Sequence, residues 1–317
     1  MNGQGKLLTH FLKNADKLVI PVYQRNYDWK EEHCKKLYFD LVKTVSEGKR
    51  WHFFGGIVSV SDPMGSSSDY LVIDGQQRIT TVSLLLLAIA NLVKAGIVTP
   101  KDPNLYDVIT KKYLVDEINP KQRKMKLKPI KGDQDSYDRL WGDPSEYNQS
   151  SRITQNYLYF YNQIQRDDIS VDQLFSAVEK LQIIDITLTP PDDDPQLVFE
   201  SLNSTGLDLN EGDKIRNFVL MRRSMEEQEQ FYDDYWSPIE KNAGYDKQTN
   251  SYDVSPFIRD YLGIKERRLT AMKEIYQEFK DYVEKRGQIE DVLKELRDYA
   301  KRYNKIRSGS PELPLRL

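Results

Sequence analysis

Tyr70-Leu71-Val72-Ile73-Asp74-Gly75-Gln76-Gln77-Arg78-Ile79-Thr80-Thr81, followed by the apolar run 82–90, decides the fold. Residues 70–73 are apolar or aromatic and of strand length, Asp74-Gly75 is a turn pair, and everything from Gln76 onward reads as a buried helix. The expectation is a strand, a tight turn and a helix, with the polar chemistry at the turn. Helix N-termini carry unpaired N–H groups and partial positive charge, so an arginine and two amides in the first turn make an anion site, with phosphate the obvious guest. Spacing alone leaves a second reading open, in which Asp74 caps the helix and Arg78 pairs with it one turn later.

The 317 residues are 39% apolar and 30% charged, enough for one large domain or two ordinary ones around a substantial core. A net charge of −3 argues against nucleic-acid binding through the overall field and leaves only a local patch or specific contacts for that role. One cysteine, Cys34, excludes an internal disulfide framework and a cysteine-based zinc site. With no basic-then-apolar order at the N-terminus, a reducing, cytoplasmic setting is expected. The apolar stretch 79–93 falls short of a membrane span and is expected to be a core helix.

Upstream, Leu7, Leu8, Phe11 and Leu12 recur at helical spacing and predict a helix over 5–14, and Leu18-Val19-Ile20 predicts a strand. Pro21-Val22-Tyr23-Gln24-Arg25-Asn26-Tyr27-Asp28-Trp29 has no periodicity. Tyr27 and Trp29 read as core anchors of this loop, and Tyr23, Gln24 and Arg25 as groups free to meet a ligand. Asp28 and Glu31 have capping-box spacing and open a helix to about residue 47. Residues 51–60 form a strand in which Gly55-Gly56 marks a bulge or a close approach.

Downstream, residues 104–170 are helical and tyrosine-rich, with a basic hairpin (Lys121, Arg123, Lys124, Lys126, Lys128, Lys131) that is either a solvated lysine-protected edge or a contact for a nucleic-acid backbone. Leu181–Leu188 alternates as a strand. A helix over 196–202 runs into the polar turn 203–209, and another begins at Asn210, bringing Asn203, Thr205 and Arg216 to a helix–turn–helix. From residue 221 on, charged helices dominate. All three histidines, His10, His33 and His52, precede residue 53, which removes a histidine-dependent metallonuclease site from the later two thirds.

Four blocks now stand in order: Ile20 to Trp29, Phe53-Phe54-Gly55-Gly56-Ile57-Val58, Ile73 to Thr81, and Phe199 to Gly206 with Asp213-Lys214-Ile215-Arg216-Asn217. Together they resemble the N-terminal domain of GmrSD-type, modification-dependent restriction enzymes over about residues 5–220. The resemblance implies an α+β, ParB/sulfiredoxin-like fold, a small mixed sheet with helices, followed by a mainly helical region. It divides the chain into 1–220, with a helical insertion near 100–170, and a helical 221–317. It also implies NTP hydrolysis at Asp74-Gly75-Gln76-Gln77-Arg78 and sensing of modified DNA by Tyr23, Gln24 and Arg25. An HNH nuclease usually accompanies such a domain, and without a later histidine it is expected as a missing domain or a separate subunit.

On this reading Arg78 and the N–H groups of 75–78 bind phosphates, Gln76 or Gln77 positions water, and Asp74 orients that water or holds Mg²⁺ through it. Gly75, Thr80, Thr81, Asn203, Thr205 and Arg216 complete the nucleotide site. The expected partners are modified phage DNA and the nuclease, with a homo-oligomer possible. A non-enzymatic binding scaffold, whose polar turn is a hydrogen-bond cluster, is the rival. DNA nicking by this chain itself is a third reading that no acid–histidine cluster supports.

Overall fold

In the computed structural model the described residues are 2–61, 69–116, 124–166, 169–190, 192–203, 209–221, 223, 225–246 and 251–308. The chain divides into two compact units, Met1–Pro21 with Arg25–Pro195, and Val22–Gln24 with Gln196–Leu317.

The first unit is a mixed sheet with helices. Its elements are β1 (Asn2–Leu7), α1 (Leu8–Asn14), β2 (Lys17–Val19), α2 (Glu31–Ser46), β3 (His52–Ser61), β4 (Asp69–Asp74), α3 (Gln76–Lys94) and α4 (Leu105–Ile109). Two short strands, β5 (Val115–Asp116) and β6 (Lys124–Met125), pair with each other. Then come β7 (Leu127–Lys128), α5 (Lys131–Arg139), α6 (Arg152–Ile164), α7 (Val171–Glu179) and β8 (Leu181–Leu188). The six-stranded sheet runs β1-β8-β3-β4-β2-β7. β3 and β8 are parallel, β3 and β4 antiparallel, and β1 closes the far edge antiparallel to β8.

α3 is apolar on every side, and a helix of that kind belongs inside a protein. At 19 residues it is long and apolar enough to cross a membrane, contrary to the expectation from its sequence, yet 83% of that window is buried by the protein. Leu84 to Ala90 are wholly buried and join α6 residues Ile153, Tyr157 and Phe160 in the core.

β4, α3 and β8 lie where the sequence pattern places them. β1 does not: residues 5–7 were expected to be helical, and Asn2–Leu7 instead pairs residue for residue with Thr187–Gln182. Two glycines give this segment little β-propensity of its own, and the pairing supplied by β8 outweighs it. At the start of α2 the expected Asp28 cap is replaced by a bond from the Lys30 N–H to His33 Nδ1 at 3.1 Å. Of the basic hairpin, Lys121 and Arg123 lie outside the described residues. Lys126 is buried, not solvated: its ammonium donates to the Leu12, Lys13 and Lys112 carbonyls at helix ends, where unpaired acceptors collect. Burial lowers its pKa.

The second unit is mainly helical: α8 (Pro195–Asn203), α9 (Glu211–Leu220), α10 (Met225–Phe231), α11 (Ser237–Ile239), α12 (Ser255–Glu266), α13 (Ile275–Arg286) and α14 (Ile289–Arg307). Trp236, Phe257, Tyr261, Phe279 and Leu293 fill its interior.

Candidate phosphate site at the start of α3

Gly75 is the N-cap of α3, at φ +94°, and no side chain caps the helix. The first helical bond, Ile79 N–H to the Gly75 carbonyl at 3.0 Å, leaves the N–H groups of Gln76, Gln77 and Arg78 ahead of it as unpaired donors. Asp74 therefore does not cap. A side chain at Gly75 is excluded twice, by the positive φ and because a Cβ would stand 3.0 Å from Ile57 Cγ1 and 3.1 Å from the Gly56 carbonyl.

The arginine explains the glycine pair of β3. Gly55 has φ +121°, and a Cβ there would lie 2.8 Å from Arg78 Nε. The guanidinium rests on the bare glycine backbone and donates through Nη1 to the Gly56 carbonyl. Asp74 Oδ2 lies 3.6 Å from the same nitrogen, with 45% of the Asp74 side chain and 29% of Arg78's exposed. Among the described residues Nη2 has no protein partner. The block Phe53 to Val58 and the block Ile73 to Thr81 are thus two halves of one seat, a relation that neither motif shows by itself.

The neighbouring side chain does something else. Gln77 is buried, and its Oε1 accepts from the Asp28 and Trp29 N–H groups at 2.9 and 3.2 Å while Nε2 donates to the Asn26 carbonyl at 3.2 Å. This amide holds the loop that follows Arg25. Thr81 donates to the Gln77 carbonyl at 2.7 Å, so the Tyr27 hydroxyl, 2.7 Å away, must donate to Thr81. Asn156 in turn donates to Tyr27 at 2.9 Å and to the Trp29 carbonyl. Burial holds the Tyr27 pKa well above the usual phenol range. Cys34 is also buried, which pushes its thiol up to about 12 and leaves it inert at neutral pH.

Between this loop and the first turn of α3 is a cavity of about 200 Å³ of empty space, open solvent included. Arg25, Gln76, Thr80 and Asp133 supply its polar lining, Ile20 and Pro129 part of its apolar wall. Asp133 came from no sequence signal. Its carboxylate accepts the Tyr27 N–H at 2.6 Å, and burial pushes its pKa up to about 6.

The structure places the remaining candidates apart from this seat in kind. Tyr23 and Gln24 are buried and group with the second unit; Arg25 is half-buried. Burial pushes the Tyr23 hydroxyl pKa upward. Arg216, in α9, spends its guanidinium inside the second unit: Nε on the Tyr23 carbonyl, Nη1 on Glu240 and Nη2 on Asp213, at 2.8, 2.8 and 2.9 Å. Trp236 Nε1 donates to the same Glu240 oxygen at 2.8 Å. Thr205 and the side chain of Asn203 lie outside the described residues.

Residues 8–220 match the family model of the GmrSD restriction endonuclease N-terminal domain. The chain belongs to that family. The match covers the first unit from Leu8 onward and extends through α9, so the Arg78 seat and Arg216 fall within the GmrSD domain while Glu240 and Trp236 of the Arg216 network lie beyond it. No curated protein matches the chain. Membership supports involvement in a GmrSD-type restriction system, and with it a role in antiphage defence.

Proposed function

We propose that this GmrSD domain binds and hydrolyses a nucleoside triphosphate at the start of α3 and thereby licenses cleavage of modified phage DNA by an HNH nuclease domain or partner. The observation that carries the reading is a half-buried guanidinium laid over two glycines beside an uncapped helix N-terminus. Charge-assisted bonds from such donors to phosphate oxygens are short and strong. Arg78 and the N–H groups of Gln76 to Arg78 would hold phosphate. Gln76 rather than Gln77 would orient water, because the Gln77 amide is spent on the loop.

Asp74 is the one carboxylate at the turn and the candidate to hold Mg²⁺ through water. Among the described residues no three His, Cys, Asp or Glu gather to cage a metal. That suits Mg²⁺, which commonly takes one or two carboxylates together with the substrate's own phosphates. Sensing of modified DNA is assigned to the segment 23–25, with Arg25 its accessible side chain.

The scaffold reading has an observation of its own: Gln77, Thr81, Tyr27 and Asn156 satisfy one another as a structural polar cluster would. A nucleotide panel with Mg²⁺, read as phosphate release by the parent and by Arg78→Ala, separates the two. Release that the variant loses while its thermal melt is preserved supports hydrolysis. Equal rates in both remove Arg78 from the chemistry, and no release in either favours the scaffold. Nicking of plain or modified DNA by this chain alone would instead favour the third reading.

A further inference from the structure

The geometry points to Lys6 of β1 as a second phosphate-binding cation of the Arg78 seat, held in place by the buried Asp185. The inference rests on the phosphate reading above and adds a strand that no motif includes. It follows from the sheet register. Gly55 pairs with Ile183 and Ile57 with Asp185 across β3 and β8, and Lys6 pairs with Ile183 across β8 and β1. Side chains of paired residues share a face of the sheet, so Ile57, Asp185 and Lys6 all project to one side. It is the side on which α3 begins, because a Cβ on Gly75 would stand 3.0 Å from Ile57 Cγ1. Gly75 caps α3 directly over Ile57, the cross-strand neighbour of Asp185.

Lys6 leans toward the seat: its Nζ reaches Asp185 Oδ2 at 2.6 Å on the intervening strand, and 34% of its side chain stays exposed. Thr187 Oγ1 lies 3.5 Å from Asp185 Oδ1 and holds the carboxylate from the other side. Backbones two strands apart are separated by about 10 Å. A polyphosphate chain held at one end by Arg78 and the helix N–H groups would meet the half-exposed Lys6 ammonium at the other, beside Asp185. Asp185, only 4% exposed, positions Lys6 and does not itself face solvent.

Calorimetric titration with inorganic pyrophosphate tests this without invoking turnover. The parent binds, Arg78→Ala loses binding, Lys6→Met weakens affinity about tenfold, the value of one charge-assisted bond, and Lys6→Arg restores most of it. A lysine that merely pins the edge strand predicts a lower melting temperature for Lys6→Met with parental pyrophosphate affinity, and that result overturns the assignment while leaving the Arg78 seat intact. No binding by the parent removes both. A short duplex DNA that binds in a Lys6-dependent manner where pyrophosphate does not would overturn the polyphosphate assignment in favour of a backbone phosphodiester.

Discussion

Arg78 and Arg216 both lie in the part of the chain that matches the family, and they are held in opposite ways. Arg216 has its Nε, Nη1 and Nη2 each bonded to a buried or half-buried acceptor, and its side chain is only 10% exposed. Arg78 gives one nitrogen to one carbonyl, stands 3.6 Å from a half-exposed carboxylate, and keeps Nη2 clear of protein partners among the described residues. An arginine with all three nitrogens engaged is a structural element. One with a nitrogen to spare, seated by glycines at a helix start, has donors left for a ligand. Type and spacing alone do not separate the two, because the difference lies in partners contributed from far along the chain.

The comparison breaks most sharply at Arg216. Arg216→Met leaves Glu240, Asp213 and the Tyr23 carbonyl without their donor, and removing one partner of a buried ion pair costs about 3–5 kcal/mol. Urea denaturation should show a loss of that size. A variant as stable as the parent would mean that the network is replaceable and Arg216 is free for another role.

The loop side of α3 gives the next largest effect, through pH. The folded-state pKa of Asp133 is raised to about 6 from the usual 3.8. Between those values the folded chain binds the extra proton, so stability falls as pH rises through that window, and the contribution of this proton is fully lost above about 6. The two-unit shift corresponds to about 2–3 kcal/mol. Comparing urea midpoints at pH 4.5 and 7 checks the sign, and Asp133→Asn should flatten the difference. A parent whose stability rises over that range would contradict the burial seen here.

Much of this was legible in the chain and some was not, for reasons that can be named. β8 and the start of α3 carry local signals, an alternating apolar run and an Asp-Gly turn before an apolar helix, and both lie where those signals put them. β1 carries none, since Gly3 and Gly5 are poor strand formers and its register comes wholly from β8. Lys126 looked solvated because charge is the local cue, while two of its three carbonyl acceptors stand at a helix end more than 100 residues upstream. The polar residues of the turn were found as a group, but their division of labour was not: Gln77 serves the loop, Arg78 the sheet side. Consecutive helical residues point about 100° apart, and which direction meets which partner is a property of the assembled sheet.

Gly55→Ala tests the seat itself. The substitution forces a Cβ at positive φ and pushes it against Arg78 Nε, for a stability cost of about 1–2 kcal/mol. Because the displaced group is the far end of a flexible side chain, the fold should survive while phosphate release falls as far as it does in Arg78→Ala. Retained release would show that Arg78 acts without this glycine platform.

The smallest effect on stability is the one that completes the contrast. Asp74 is 45% exposed and stands 3.6 Å from Arg78, so the pair is screened and contributes little. Arg78→Ala forfeits chiefly the bond to the Gly56 carbonyl, about 1 kcal/mol. Denaturation of Arg78→Ala and Arg216→Met under identical conditions should therefore give costs that differ by at least about 2 kcal/mol, the arginine that matters least to the fold being the one on which phosphate release depends. Equal costs would place Arg78 in a buried structural network like that of Arg216 and leave the uncapped helix N-terminus without its cation.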